Sequence, residues 1–438
     1  MGTPSGRGKV ILYLPRHVPP EHETAVALAV PPLPHLALAG PLRQAGYEVR
    51  VIDAKWEPRY REEITATIGD ALCLGISALT GYAIADGLDL AGLAKRLRPE
   101  VPVIWGGWHP SFAARQAAAD PRVDAVVRGD GERTVVELLD ALETGRSLAD
   151  VRGVTYRDGT AVVETPDRPA EDVNAYPPPA YDLIDARRYI QVWPDGTRNA
   201  ATIFSRGCPY QCDFCLDSRQ LWRGLSMDRI REDLTFWVVR MGADNLRFYD
   251  GNFFLGRPRL VEFSRMIIAS DLAGRFRWTA TGVGNRLVRL DSDVLTLLRR
   301  AGCRQVAIGA ESGSDELLQQ ITNKTTVEHT TEAVRLLTRH GINQYLFFMV
   351  GFPEEPEDAL EETLRLIHRL TQINPDVDIQ MNFCVPLPGS EMFRIAIARG
   401  CSRSRRRSPT GRSSSTRAPA CPTSAGSTRS VSRGSWLA

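Results

Sequence analysis

Two successive α/β domains are the architecture that this 438-residue sequence predicts. The first is a doubly wound, Rossmann-like parallel sheet over 9–145, and the second a partial (β/α)6 barrel over 191–400. Three observations carry this. Short β-branched runs alternate with amphipathic stretches from Lys9 onward, the pattern of a parallel sheet with crossover helices. A stiff, extended stretch, Tyr176-Pro177-Pro178-Pro179-Ala180, interrupts the alternation and marks a connector over 146–190. Six further strand–helix units follow, fewer than the eight that close a barrel.

The first domain reads as strands at 10–14, 48–52, 72–76, 101–105 and 123–127. A helix at 35–45, kinked at Pro41 and ended by Gly46, follows the first strand, and a helix at 134–142 follows the last. A ligand crevice belongs at the strands' C-terminal ends. Those ends carry Ser77-Ala78-Leu79-Thr80, Gly106-Gly107-Trp108-His109-Pro110-Ser111 and Arg128-Gly129-Asp130-Gly131-Glu132. Glycines there let a broad, flat ligand approach the backbone, and hydroxyls can satisfy its polar rim. Ordinary βα turns favour the same residues, so that reading stands beside the first.

The connector contains an expected hairpin over 153–163 with a turn at Asp158-Gly159. Beyond it, strands are expected at 201–204, 245–250, 276–281, 305–309, 345–350 and 378–383. Ser226 caps the first helix of this set, and Ala333, Leu336 and Leu337 mark the apolar face of a later one.

The apolar fraction of 43% is ordinary for a globular protein. The net charge of +2 is misleading, because residues 401–438 hold eight Arg and no acid. Without them, 46 basic residues face 52 acidic ones, and no nucleic-acid surface is indicated. The segment 1–8 reads as a tail with no apolar signal region. The most apolar stretch, 25–42, is broken by Pro31, Pro32, Pro34 and Pro41 and so cannot form a membrane span. Eight Cys without a secretory pattern fit a reducing compartment, the cytoplasm. Residues 401–438, rich in Ser, Arg, Thr and Pro, lack the apolar content to fold alone. They read either as a disordered tail or as a shifted reading frame, in which case Cys401 and Cys421 carry no meaning.

Chemistry concentrates in Ser205-Arg206-Gly207-Cys208-Pro209-Tyr210-Gln211-Cys212-Asp213-Phe214-Cys215. Three thiolates can hold three corners of an iron–sulfur cube and leave one iron open for a cofactor or substrate. Structural zinc wants four ligands, and no His lies within forty residues after Cys215. Zinc and unliganded thiols are the alternatives.

The triplet with its aromatic, Cys-x3-Cys-x-Phe-Cys, resembles the radical S-adenosylmethionine (SAM) enzymes. That resemblance implies Cys208, Cys212 and Cys215 as ligands of a [4Fe–4S] cluster that cleaves SAM to a 5′-deoxyadenosyl radical. It implies Phe214 beside the adenine, Tyr249 and Asp250 near the SAM amino group, and Glu311 and Ser312 near its ribose and carboxylate. A solvated Glu311 and a helix cap at Ser312 or Ser314 are the bland counterparts. The blocks Trp105-Gly106-Gly107-Trp108-His109-Pro110 and Arg128-Gly129-Asp130-Gly131-Glu132 resemble the cobalamin-binding domain of a radical SAM subgroup. That subgroup contains the anaerobic magnesium-protoporphyrin monomethyl ester cyclase. This implies cobalamin held by Ser77, Thr80, Gly106, Gly107, Gly129 and Glu132. The Asp-x-His-x-x-Gly motif that would supply an axial histidine is missing, and His109 is a turn residue rather than its replacement.

Methylation of an unactivated carbon of a small-molecule substrate is the implied outcome. A radical cyclisation or rearrangement, and a non-catalytic cobalamin or iron–sulfur binding protein, are the alternatives. The implied partners are that substrate and an external electron donor of flavodoxin or ferredoxin type.

Overall fold

Two seven-stranded sheets organise the chain in a computed structural model that describes residues 7–22, 30–322, 324–353 and 355–400. The tail 401–438, with Cys401 and Cys421, lies outside the described residues.

The first sheet contains β1 (Lys9–Leu14), β2 (Glu48–Asp53), β3 (Ala71–Ser77), β4 (Val103–Gly106), β5 (Ala125–Val127), β6 (Val154–Asp158) and β7 (Ala161–Glu164). Its order is β2-β1-β3-β4-β5-β6-β7. The first five strands are parallel, and β6 and β7 add to them as an antiparallel hairpin. Strand order reverses between β1 and β3, which opens a crevice at their C-terminal ends. The helix Leu33–Gln44 accommodates Pro41 and buries Leu36, Ala39 and Leu42. The hairpin expected in the connector instead completes this sheet, with β6 pairing on β5. Val154 and Thr155 are fully buried there, and the pairing covers what would otherwise be a bare edge. Asp158 pairs with Ala161, so the turn is Gly159-Thr160 rather than Asp158-Gly159.

The second sheet contains β8 (Gln191–Val192), β9 (Arg198–Thr202), β12 (Asn245–Phe248), β13 (Arg277–Gly282), β14 (Cys303–Glu311), β15 (Asn343–Val350) and β16 (Asp378–Phe383). Between β9 and β12 a separate ribbon pairs β10 (Ser205–Arg206) with β11 (Arg223–Gly224). Six strands, β9 and β12 to β16, run parallel in sequence order, the open-sided barrel of six units. Residues alternate between its faces. Leu246 and Phe248 pack outward in an aromatic cluster with Phe263 and Trp278. Arg247 and Tyr249 take the other face, where the Arg247 guanidinium lies over the rings of Tyr249 and Tyr345.

The connector is packed rather than loose. Tyr181 donates to Asp233 at 2.7 Å on the barrel side, and Tyr189 donates to Asp53 at 2.8 Å on the first sheet. One continuous apolar core therefore spans both sheets. No helix among the described residues is long and apolar enough to cross a membrane.

Candidate active site

The Cys-bearing loop hangs from the β10–β11 ribbon, whose two rungs pair Ser205 with Gly224 and Arg206 with Arg223. Gly207 starts the loop at φ 71°. A Cβ there would stand 2.6 Å from the Leu221 carbonyl oxygen, so only glycine fits. The Cys208 N–H donates to the Asp217 carbonyl at 3.1 Å, and the Cys215 N–H to that of Cys212 at 3.1 Å. Ser218 closes the turn by donating to the Cys215 carbonyl at 2.6 Å. Cys208, Cys212, Phe214 and Cys215 are all half-buried.

Among the described residues no three His, Cys, Asp or Glu side chains converge on one ion. Three thiols fall one short of the four ligands of a structural zinc, whereas on a cubane each takes a different iron and the fourth iron stays open. Burial pushes Cys208 up and Cys215 up to about 11. Iron must therefore displace protons to bind there.

Glu311 ends β14 in the left-handed region, at φ 59°, beside a bulge in the pairing with β15. Such a conformation is costly for a residue other than glycine and clusters at functional sites. The residue is half-buried by surface, but its carboxyl lies deep enough that burial alone pushes it up to about 8. No described residue donates a hydrogen bond to it. Phe214 packs near Phe352, with ring centroids 6.2 Å apart, next to Met349 and Cys384 at the fifth and sixth strand ends.

Two residues expected to contact SAM are committed elsewhere. Asp250 is 2% exposed. It accepts from the Phe204 N–H at 3.2 Å and from the Ser205 hydroxyl, so it pins the strand exit that leads to Cys208. Burial pushes it up to about 6. Ser312 is buried, accepts from the Ser314 N–H at 3.1 Å and meets the Thr363 hydroxyl at 3.3 Å. It shapes the turn before the helix Asp315–Ile321. Tyr249, by contrast, is 39% exposed and faces open space.

That space is a cavity of about 1190 Å³ at the C-terminal ends of β1, β3, β4 and β5, larger than common small-ligand pockets. Ser77, Gly106, Gly107, Gly129, Asp130 and Glu132 line one side. Thr202, Arg206, Asp217, Tyr249 and Gly251 line the other, so the two sheets open into one volume. The thiols, Phe214 and Glu311 lie outside this lining. Gly107 has φ 90°, and a Cβ there would come within 2.6 Å of the Ser77 hydroxyl. Gly106 has only the Val127 carbonyl near its Cβ direction, at 3.7 Å.

Two residues expected to hold cobalamin do not present free side chains. Thr80 lies outside the cavity lining, its hydroxyl 3.1 Å from His109 Nδ1. Glu132 is buried and paired with Arg206. His109 is likewise outside the lining. The cavity does contain His35, whose Nε2 donates to the Tyr13 carbonyl at 3.0 Å. Its Nδ1 is buried without a hydrogen-bond partner among the described residues, and burial holds the ring down to about 4. His35 sits on an apolar helix face in sequence, so nothing but its polarity distinguishes it there. Arg206 and Arg223 also went without a role in the sequence reading, although Arg206 stands inside the thiol run.

The B12 binding domain profile matches residues 24–139 and the Radical SAM superfamily profile residues 202–367. A protein of Pyrococcus horikoshii named uncharacterized methyltransferase PH0819 is 32% identical over 400 residues, covering 89% of this chain and 83% of its own. The chain belongs to the radical SAM enzymes that carry a B12-binding domain. The anaerobic magnesium-protoporphyrin IX monomethyl ester cyclase of Rubrivivax gelatinosus is 30% identical over 373 residues, 82% of this chain and 64% of the cyclase. The methyltransferase TsrM of Kitasatospora setae, solved with cobalamin and a [4Fe–4S] cluster, superposes with a TM-score of 0.73. It shares 19% identity, over 91% of this chain and 76% of TsrM, so it supports the fold. This radical SAM enzyme thus combines the cofactor classes of both families: [4Fe–4S], SAM and cobalamin. The residues fit them, with three thiols on one loop, a carboxyl to which no described residue donates a hydrogen bond and a large glycine-edged cavity.

Proposed function

We propose that this enzyme methylates an unactivated carbon of a small-molecule substrate. When bound, the cluster and SAM supply a 5′-deoxyadenosyl radical, and cobalamin supplies the methyl group. Cys208, Cys212 and Cys215 would hold three irons, and Glu311 would accept hydrogen bonds from the SAM ammonium or ribose hydroxyls. Phe214 would pack beside the adenine. Gly106, Gly107 and Gly129, with Ser77, would edge the corrin, and Tyr249 would stand between that cavity and the barrel.

The observation that carries this reading is the shared volume. One cavity runs from Gly106 and Gly107 on the first sheet to Tyr249 and Gly251 on the second. A substrate there would lie between the first sheet's glycine edge and the barrel strand ends. An external one-electron donor, flavodoxin or ferredoxin in type, would reduce the cluster. Such chemistry suits a reducing compartment, the cytoplasm.

Radical cyclisation is the second reading, favoured by the likeness to the cyclase. Incubation of the anaerobically reconstituted enzyme with methyl-labelled SAM and candidate small molecules decides between them. Label in the product supports methylation, and an unlabelled product that has lost hydrogen supports cyclisation.

A further inference from the structure

The loop that carries the thiols is fastened at its base to the other domain. Residues 207–222 leave and rejoin the fold through the β10–β11 ribbon, where Arg206 faces Arg223 across an antiparallel rung. Like charges so placed repel each other. Asp130 bridges them: its Oδ1 accepts from Arg206 Nη1 at 3.1 Å, and its Oδ2 accepts from Arg223 Nη1. Glu132 takes the other terminal nitrogen of Arg206, Nη2. Arg223 Nη1 also donates to the Glu171 carbonyl at 3.0 Å.

The Glu132 side chain is 4% exposed against 31% for its partner Arg206, and that of Arg223 12% against 22% for its partner Asp130. Each pair therefore has one member withdrawn from water. Removing one member strands a buried charge, so its neighbours must move. Asp130 lies in the loop after β5 and Glu132 opens the helix Glu132–Thr144 that follows, and with Gly129 and Gly131 they form cavity wall. Arg206 is two residues from Cys208. A displacement of the wall is therefore a displacement of the thiol loop's base.

We propose that Arg206, clamped by Asp130 and Glu132, is a positioning residue that couples the two cofactor sites. Cobalamin against the 129–132 wall sets the acids, the acids set Arg206, and Arg206 sets the loop at which SAM binds. Linkage makes the effect reciprocal, so each cofactor tightens the other. The idea rests on the cofactor assignment above.

The experiment uses the full chain with its cluster reconstituted. SAM is titrated by the change it causes in the reduced cluster's EPR spectrum, with and without saturating hydroxocobalamin. Hydroxocobalamin itself is titrated by visible absorption. In the wild type, cobalamin should lower the SAM Kd by about fivefold or more. In Glu132→Gln, Asp130→Asn and Arg206→Gln that ratio should fall to within about twofold of unity, with iron content unchanged. Should Arg206→Gln lose the cluster, the two first-domain variants decide. A wild-type SAM Kd indifferent to cobalamin, or variants that keep the wild-type ratio, would overturn the clamp. Failure of the wild type to take up cobalamin would instead overturn the cofactor assignment.

Discussion

Glu311 folds back over Gly309, its neighbour but one on β14, so that a Cβ at Gly309 would collide with Glu311 Oε1. The glycine makes room for the carboxyl, and the left-handed backbone at φ 59° aims it. Strain of roughly 1–3 kcal/mol is retained at a residue to which no described residue donates a hydrogen bond, the pattern expected of a ligand contact.

Gly309→Ala should therefore displace the Glu311 carboxyl without touching the thiols. SAM affinity should fall about tenfold to a hundredfold, as it should in Glu311→Ala, because each loses a charge-assisted hydrogen bond of about 1.5–3 kcal/mol. Iron analysis and SAM titration of both variants check this. Wild-type SAM affinity in both would return Glu311 to a structural role.

The same carboxyl predicts a pH dependence. Burial raises it to about 8, so it is protonated at neutral pH. Its contribution to stability is full below the ordinary carboxylate range, near about 4.3, and is lost as pH rises through about 8. A ligand ammonium or hydroxyl favours the carboxylate, so SAM binding should release a proton. SAM affinity should rise with pH and level off above about 8, while Glu311→Gln stays flat. Calorimetry in two buffers of different ionisation enthalpy counts the proton, and equal heats would reject it.

Much of this arrangement could be read in the sequence because periodicity and spacing are local. Five of the barrel's six parallel strands and the five of the first sheet fall on the expected spans, whereas the first barrel strand, expected at 201–204, runs Arg198–Thr202 and ends before Phe204. The thiol loop follows from three Cys and an aromatic. What could not be read was where carboxylates point. Asp250 and Glu132 sit in the right loops, yet β12 turns Asp250 back towards Phe204, and Arg206 captures Glu132. Both outcomes depend on partners 46 and 74 residues away. The hairpin 153–163 forms where the sequence puts it, but only the exposed edge of β5 decides that β6 joins the first sheet rather than a separate connector.

Asp250 should behave as a structural residue. Asp250→Ala leaves the Phe204 N–H unsatisfied in a buried place, at a cost of about 1–3 kcal/mol. Thermal unfolding should begin lower and cluster occupancy should drop, since the strand exit to Cys208 loosens. SAM affinity per intact cluster should change little. A variant of normal stability with weak SAM binding would restore Asp250 to the ligand contacts.

Histidine substitutions should separate lining from ligation. His109 is tied to Thr80 and absent from the cavity lining, so His109→Ala should leave the cobalt EPR of bound cobalamin unchanged. His35 does line the cavity, and its Nδ1 has no hydrogen-bond partner among the described residues. His35→Ala should weaken cobalamin binding by about fivefold to tenfold, the loss of one neutral hydrogen bond of about 1 kcal/mol with some packing. An imidazole signature on cobalt that disappears with His109 would contradict this.

The paired glycines after β4 should respond differently, because only one of them is held by the protein. Gly107 has φ 90°, and its Cβ direction points at the Ser77 hydroxyl and the Ala78 backbone. Gly107→Val should destabilise the first domain by about 1–3 kcal/mol even without cofactor. Ser77→Gly should relieve only the contact, not the backbone conformation, so the double variant should recover in part. Gly106 has ordinary backbone and no atom closer than 3.7 Å to its Cβ direction. Gly106→Val should therefore fold normally and lose cobalamin alone, because the added methyls would occupy the approach to the corrin. Chemical denaturation of the cofactor-free chain, set against hydroxocobalamin titration, reads the two effects separately. A Gly106→Val chain that folds and binds hydroxocobalamin as the wild type does would remove that glycine from the corrin's edge.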